Sequence, residues 1–411
     1  MYLIQRAQRS KRRGGALFWL LLCLGTILGF VALVMDSGRM MEQRRRTQAG
    51  ADAAALAAAY KLFEAYPQSG ESAAGTAARA IAADNGFPND AVTVNIPPTS
   101  GPYTGKSDCV EIVIESKLPA SFGAIVTGQD LTVRSRAVAR GRPARIGLIA
   151  LKSSGANTFN NSAVAFALLG SPIIVNSSDA AALRNTGLLL TAKSFEVTGG
   201  ISNTGIMVGK KRTGMTPTAD PLRYLPFPNS AGQPVRSAAL LTVNALLPTV
   251  LDPGIYQGGI KITGLSTVLM RPGTYVMEGG GFEISGLATV TGLGVLIHNT
   301  SGAFPGGPIN INTLGRVVVT APGAGAYRGI NVLQDRNLAQ PISLSGNGLI
   351  AVSGLIYAPA APVSLRGLLA VGVDTLGGGY ICDTMAVSGV GTVNLDLGNN
   401  LPQIPEINLV D

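Results

Sequence analysis

The chain has 411 residues, 46% of them hydrophobic and only 13% charged, with 53 glycines, one histidine and three cysteines. Soluble domains usually carry about 25% charged residues, so this composition excludes a charged disordered chain, a coiled coil and a disulfide scaffold. A single imidazole argues against most histidine-based enzyme plans, and abundant glycine with little charge points to repetitive β-structure with tight turns.

The formal charge is +9, and it is concentrated at one end. Arg6, Arg9, Lys11, Arg12 and Arg13 precede an uncharged run, and Arg39, Arg44, Arg45 and Arg46 follow it. A nucleic-acid reader spreads basic residues along a groove, usually with stacking aromatics. A collar around one segment does not fit that footprint, so no nucleic-acid partner is expected.

The uncharged run is Gly14 to Met35, 22 residues long. At 1.5 Å per residue it spans roughly 33 Å, enough for a bilayer core. Cleaved signal peptides have shorter apolar cores and a small-x-small cleavage site, whereas here Asp36-Ser37-Gly38-Arg39 leads into an arginine run. A retained transmembrane helix over residues 14–35 is expected, with 1–13 as a cytoplasmic basic tail. Counting Lys and Arg on each side favours that orientation only by a small margin; the large β-rich remainder favours an extracytoplasmic bulk. Gly15 before the apolar run has the look of a prepilin processing site, but Leu20 stands where an acidic residue belongs, so no such cleavage is expected. Cys23 falls inside the span as a packing residue. Whether Cys109 and Cys382 pair is left open, because connectivity is not readable from sequence.

Residues 39–65 are rich in helix formers, alanine above all, so the helix is expected to continue out of the bilayer until Pro67 and Gly70. A second alanine-rich helix is expected over about Ser72 to Asp84. The order of Arg12-Arg13-Gly14-Gly15, the apolar span, Asp36-Ser37-Gly38-Arg39, Arg44-Arg45-Arg46 and Ala51-Asp52-Ala53-Ala54-Ala55-Leu56-Ala57-Ala58-Ala59 resembles the N-terminus of TadG-like proteins of bacterial Flp pilus assembly, or tight adherence. The resemblance covers about residues 10–60. It implies an inner-membrane anchor, an extracytoplasmic body and a role in assembling or anchoring a thin adhesive pilus. Several members carry a metal-binding von Willebrand type A module; this chain departs from them in having no Asp-x-Ser-x-Ser string.

Alternation over Val92–Ile96, Val110–Ile114 and Leu131–Val138, with Pro97-Pro98 and Gly101-Pro102 as turns, predicts a small sheet. Residues 36–145 thus read as a helical stem with a small α+β, pilin-like unit. Arg136, Arg140, Arg142 and Arg145 read as a solvated linker.

Residues 146–411 carry a repeat. Ile260-Lys261-Ile262-Thr263-Gly264 recurs as Phe282-Glu283-Ile284-Ser285-Gly286 and as Met385-Ala386-Val387-Ser388-Gly389. Starts of this core, some degenerate, fall at Ile173, Phe195, Ile260, Phe282, Ile342, Val363 and Met385. The period is about 21–22 residues, with two long intervals read as about three periods each. Short strands at that spacing, with glycine corners, predict a right-handed parallel β-helix, or solenoid, over 146–411, in preference to a sandwich or barrel. Ile350-Ala351-Val352-Ser353-Gly354 lies out of phase and reads as another strand of the same turn. Residues 210–252, with six prolines, read as a projecting loop or irregular turn.

Parallel β-helices often cut polysaccharides, so a carbohydrate-active protein is the rival reading. That chemistry needs facing carboxylates or an acidic calcium site with a base. Glu278 and Glu283 are five positions apart and would face opposite sides if one strand held both, which Gly279-Gly280-Gly281 argues against. His298 reads as a strand cap near the surface without a base or metal partner. No P-loop, Gly-x-Ser-x-Gly, His-Glu-x-x-His or Cys-x-x-Cys occurs. The reading is therefore a non-enzymatic, single-pass, inner-membrane structural protein of Flp pilus assembly or cell-surface adhesion. It has no catalytic, cofactor-binding or metal-binding residues and no cofactors. Its expected partners are the membrane and pilus-assembly or cell-envelope proteins, with polysaccharide as a further candidate; a polysaccharide-binding or polysaccharide-cleaving β-helix protein tethered to the membrane is the alternative.

Overall fold

The computed structural model describes residues 13–66, 68–119, 131–346, 348–367, 374–375, 378–390, 392–395 and 401–411. The tail 1–12 lies outside the described residues. The chain is mainly β, with one long N-terminal helix, and divides into two compact units: Met1–Arg142 with Pro405–Asp411, and Pro143–Ile404.

The helix Arg13–Ala65 is continuous. Its first part exposes nearly every apolar side chain, with Trp19, Leu20, Phe30 and Val34 among them. An apolar helix with no protein around it has its solvent in lipid. Its mean hydropathy of 2.6 and its length suit a membrane span. Beyond Arg46 the same helix changes character. Ala51, Ala54, Ala55, Ala58, Ala59 and Leu62 are buried, the spacing of one helical stripe. Ala74, Ala78 and Ala82 of the second helix, Glu71–Asp84, join them in one core.

The stripe is built of alanine because the sheet comes very close. A Cβ on Gly141 would lie 1.7 Å from the Ala59 carbonyl oxygen. That sheet holds Val92–Asn95, Cys109–Leu118, Leu131–Pro143 and Pro405–Leu409, in that order. Its first three strands are antiparallel, with Val94 opposite Ile112 and Ile112 opposite Ala137.

The fourth strand alters two sequence expectations. Residues 405–411 do not continue the repeat expected over 146–411; they form the edge of the first unit's sheet, where Val138 N–H donates to the Asp411 carbonyl at 2.8 Å. Arg136, Arg140 and Arg142 do not lie in a solvated linker. They sit within the strand Leu131–Pro143 and pair with Glu111 and Asp411, with Asp108, and with Asp108 and Glu406 respectively. Their acidic partners are scattered along the chain, so no local pattern announced them.

In the second unit the strand pairings are parallel. One row of register partners runs Leu241, Ile260, Phe282, Ile309, Ile342, Val363, Met385. It then continues, out of chain order, through Phe159, Leu183 and Ile201. The chain therefore enters this row in its middle. It runs to one end, crosses to the other at residues 214–234, and returns to meet its own starting strand. The residues of this row from Ile260 to Leu183 are almost wholly buried, and the side chains of successive strands form one apolar core.

Three expectations about the repeat need correction. Ile173 and Phe195 belong to a different row, with Tyr380 and Leu148, so the interval from Phe195 to Ile260 is not a run of periods. The interval from Phe282 to Ile342 contains one intermediate strand of this row, Ile309–Thr313, which lacks the Ser/Thr-Gly ending. Residues 210–252 are not one projecting loop: Val235–Ser237, Leu241–Val243 and Thr249–Leu251 are paired strands. The intervals vary because loops enter between strands, while inward apolar residues need only keep register within a strand. Leu349–Ser353 forms its own sheet row, against Arg316–Thr320.

Glycine allows the closest turns. Gly280 has φ +65°, and a Cβ there would sit 1.8 Å from the Gly258 carbonyl oxygen. Both the left-handed backbone and the contact require glycine.

Candidate functional site

The strap of residues 214–234 covers the one histidine. His298 is not a strand cap at the surface: it lies within the strand Val295–Thr300 and is 5% exposed. Nor is it without a carboxylate. Its Nε2 is 3.0 Å from Asp335 Oδ1, and Thr300 donates its hydroxyl hydrogen to Asp335 Oδ2. Burial pushes the Asp335 carboxyl up, but the hydrogen bonds from His298 and Thr300 outweigh it and hold it below the usual carboxylate range. Phe227 of the strap stacks on the imidazole, with ring centroids 5.4 Å apart and planes 12° apart. The Arg336 guanidinium lies 4.6 Å from the Phe227 centroid and donates to the carbonyl oxygens of Leu222 and Leu225 at 2.9 and 2.8 Å.

The strap is held at further points. Tyr357 donates to Asp220 at 2.7 Å, and Asn176 exchanges two hydrogen bonds with the Thr218 backbone. Burial, with Asp220 beside it, pushes the Tyr357 phenol well above its ordinary range. Leu222 is buried in an apolar cluster with Ile149, Leu296, Leu333 and Ile381. Chemically, His298 and Asp335 are a hydrogen-bonded pair roofed by an aromatic ring, not a group facing an open cleft. Their work here is to anchor the strap. Sequence reading missed the pair because 298 and 335 meet only through the register of Asn299 with Gln334. Removing the guanidinium should loosen this roof by about 1–3 kcal/mol, the cost of lost charge-assisted hydrogen bonds. Arg336→Ala is therefore expected to speed tryptic cleavage at Arg223, beside the 82%-exposed Tyr224, with the rest of the fold intact; an unchanged cleavage rate would refute the anchoring role.

The other sequence candidates stay apart. Glu278 ends the strand Gly273–Glu278, and Glu283 lies in the next strand, Phe282–Gly286, where it pairs with Lys261 at 3.1 Å. Three glycines with positive φ separate them. Among the described residues no three His, Cys, Asp or Glu side chains gather as a metal site. Cys23, Cys109 and Cys382 are free, so Cys109 and Cys382 form no disulfide here. Burial pushes both the Cys109 and Cys382 thiols up, away from the reactive thiolate.

The remaining feature is the long helix, apolar through its first part and alanine-packed through its second. Residues 14–61 match the family model "Putative Flp pilus-assembly TadE/G-like". This segment is TadE/G-like, as the resemblance implied. The matched stretch runs from the apolar span through the buried alanine stripe at Ala51–Ala59. No curated protein and no solved structure matches the chain. With one helix of suitable length and hydropathy among the described residues, the TadE/G-like segment marks a single-pass membrane protein and supports involvement in Flp pilus assembly.

Proposed function

We propose that this protein is a non-enzymatic scaffold of Flp pilus assembly. The TadE/G-like helix fixes it in the bacterial inner membrane, with residues 1–13 cytoplasmic and the bulk extracytoplasmic. The second unit is a right-handed parallel β-helix presenting a long, weakly charged surface to pilus-assembly or cell-envelope proteins. The observation that carries this reading is the single unbroken helix Arg13–Ala65, in which the family-matched segment is apolar and exposed through its first part and packs into the first folded unit through its second. Repeated parallel register along Ile260, Phe282, Ile309 and Ile342 supports the β-helix.

The ends of the second unit lie close enough to be joined by a linker. Ala144 N–H donates to the Ile404 carbonyl at 2.7 Å, so the two chain ends of the second unit are neighbours. A short Gly/Ser linker in place of residues 144–404 would keep the strands Leu131–Pro143 and Pro405–Leu409. The shortened protein is expected to accumulate in the membrane while surface piliation, counted by electron microscopy, falls severalfold. Normal piliation would exclude an assembly role for the second unit.

A further inference from the structure

The first unit is fixed along the long helix closely enough to place it against the bilayer. Three contacts set the register. Gln43 donates to Ser116 at 2.7 Å, Gly50 lies against Phe87 and Ile114, and Ala59 lies against Gly141. Advancing along the helix away from the apolar span therefore means retreating along the strand Cys109–Leu118. Since Cys109 is opposite Arg140 and Leu118 opposite Leu131, the Leu118 end of the sheet is the end nearest the membrane.

The distance follows from helix geometry. Met35 ends the apolar run, and Gln43 lies about 12 Å farther on at 1.5 Å per residue. A headgroup layer occupies roughly the first 5–8 Å beyond each face of the hydrocarbon core. Ser116 is thus just outside that layer, and Lys117 is one residue nearer to it along the strand. Long basic side chains extend their charges into such a boundary.

A groove of about 580 Å³ opens beside these residues, lined by Gln43, Arg46, Ser116 and Lys117 together with the acids Asp90 and Glu115. Glu115 is matched by Arg134 at 3.3 Å. Arg44, Arg45, Arg46 and Lys117 are exposed and have no ion-pair partner among the described residues. Glu42 is the acid beside them on the helix. Arg44 to Arg46 lie about 14–17 Å beyond Met35 at 1.5 Å per residue, outside the headgroup layer. Helix side chains, however, lean back toward the N-terminus, here the membrane side, and long basic ones extend their charge toward that boundary. Four cations without ion-pair partners so placed, two of them lining a concave site, favour an anionic ligand held at the bilayer surface.

We propose that this membrane-proximal groove binds the headgroup of an anionic phospholipid from the bilayer that holds the helix. Arg46 and Lys117 take the phosphate, and Arg44 and Arg45 supply field from the same helical turn. The bound lipid would fix the tilt and height of the first unit above the membrane.

The test uses the full-length chain, purified in detergent and equilibrated with mixed micelles of phosphatidylglycerol and phosphatidylcholine. Lipid retained per protein is read by native mass spectrometry. The wild type is expected to retain phosphatidylglycerol severalfold over phosphatidylcholine. Arg46→Ala with Lys117→Ala should bring that ratio near parity, and Arg46→Lys with Lys117→Arg should restore it. Parity in the wild type, or an unchanged preference in the double alanine variant, would overturn the proposal. Stripping of the lipid by millimolar inorganic phosphate would also overturn it, showing a site for free phosphate. Carbonate extraction of membranes separates this from the anchor: both forms stay integral if the helix spans the bilayer, whatever the headgroup result.

Discussion

Phe282→Ala is expected to lower the stability of the second unit by about 3–5 kcal/mol, the usual cost of emptying a buried aromatic site. Phe282 is 0% exposed and stands in register between Ile260 and Ile309. Its ring fills one level of the row, so truncation removes contacts with the strands on both sides. Those strands cannot close the gap, because each is held by parallel pairing to the next. Phe282→Leu keeps most of the volume and should cost much less. Leu287, half exposed, is the control: Leu287→Ala should change stability by only a few tenths of a kcal/mol. Urea denaturation of the full-length protein in detergent, followed by far-ultraviolet circular dichroism, measures all three. A Phe282→Ala loss no greater than that of Leu287→Ala would show that the row is not a packed core.

Arg136→Ala is expected to destabilise the first unit by a similar amount, about 3–5 kcal/mol, because it leaves a buried carboxylate without its counter-charge. The Glu111 side chain is 2% exposed and lies 2.6 Å from Arg136 Nε. Its second oxygen accepts hydrogen bonds from Asn95, the Thr99 backbone and the Thr99 hydroxyl, and Ser100 donates to the first. Burial pushes the Glu111 carboxyl up, but the donors Ser100, Thr99, Asn95 and Arg136 outweigh it and hold it far below the usual carboxylate range. The folded group therefore binds its proton only at lower pH than the unfolded group, whose pKa is about 4.3. Its contribution to stability is complete above that value and is lost as pH falls toward the folded pKa. Stability of the wild type should drop steeply below about pH 4 by this linkage. Glu111→Gln should be less stable at neutral pH and should flatten that acid limb. Equal acid slopes in the two proteins, read from thermal melts across pH, would rule out Glu111 as the main source. Asp335, also held low, supplies a smaller acid dependence from the second unit.

How much of this was legible depends on whether a feature is local. The span Gly14–Met35 was readable because lipid demands an uninterrupted apolar run, and the family match at 14–61 agrees with the resemblance seen in its residues. The end of the long helix and the second helix, Glu71–Asp84, came close to their expected limits, since alanine and the Pro/Gly stop act within a few residues. The strands of the first sheet were visible in their alternation. The repeat was visible where Ile260, Phe282, Ile342 and Met385 carry the same short pattern. It was hidden at Ile309 and Leu241, whose strands keep the inward apolar residues and drop the Ser/Thr-Gly ending.

By itself, then, the amino-acid order determined the membrane helix, the alanine stripe, the β character of the remainder and its short repeating strands. Each of these is a periodicity that neighbouring residues express together. Only the tertiary structure decided that Met385 lies beside Phe159, that residues 405–411 return to the first sheet, that Asp335 meets His298 and that Arg136 meets Glu111 and Asp411. Those contacts join residues far apart in the chain, and what selects them is burial and charge matching between whole elements. No local pattern encodes such a choice, because the free energy that favours it exists only once the elements are packed.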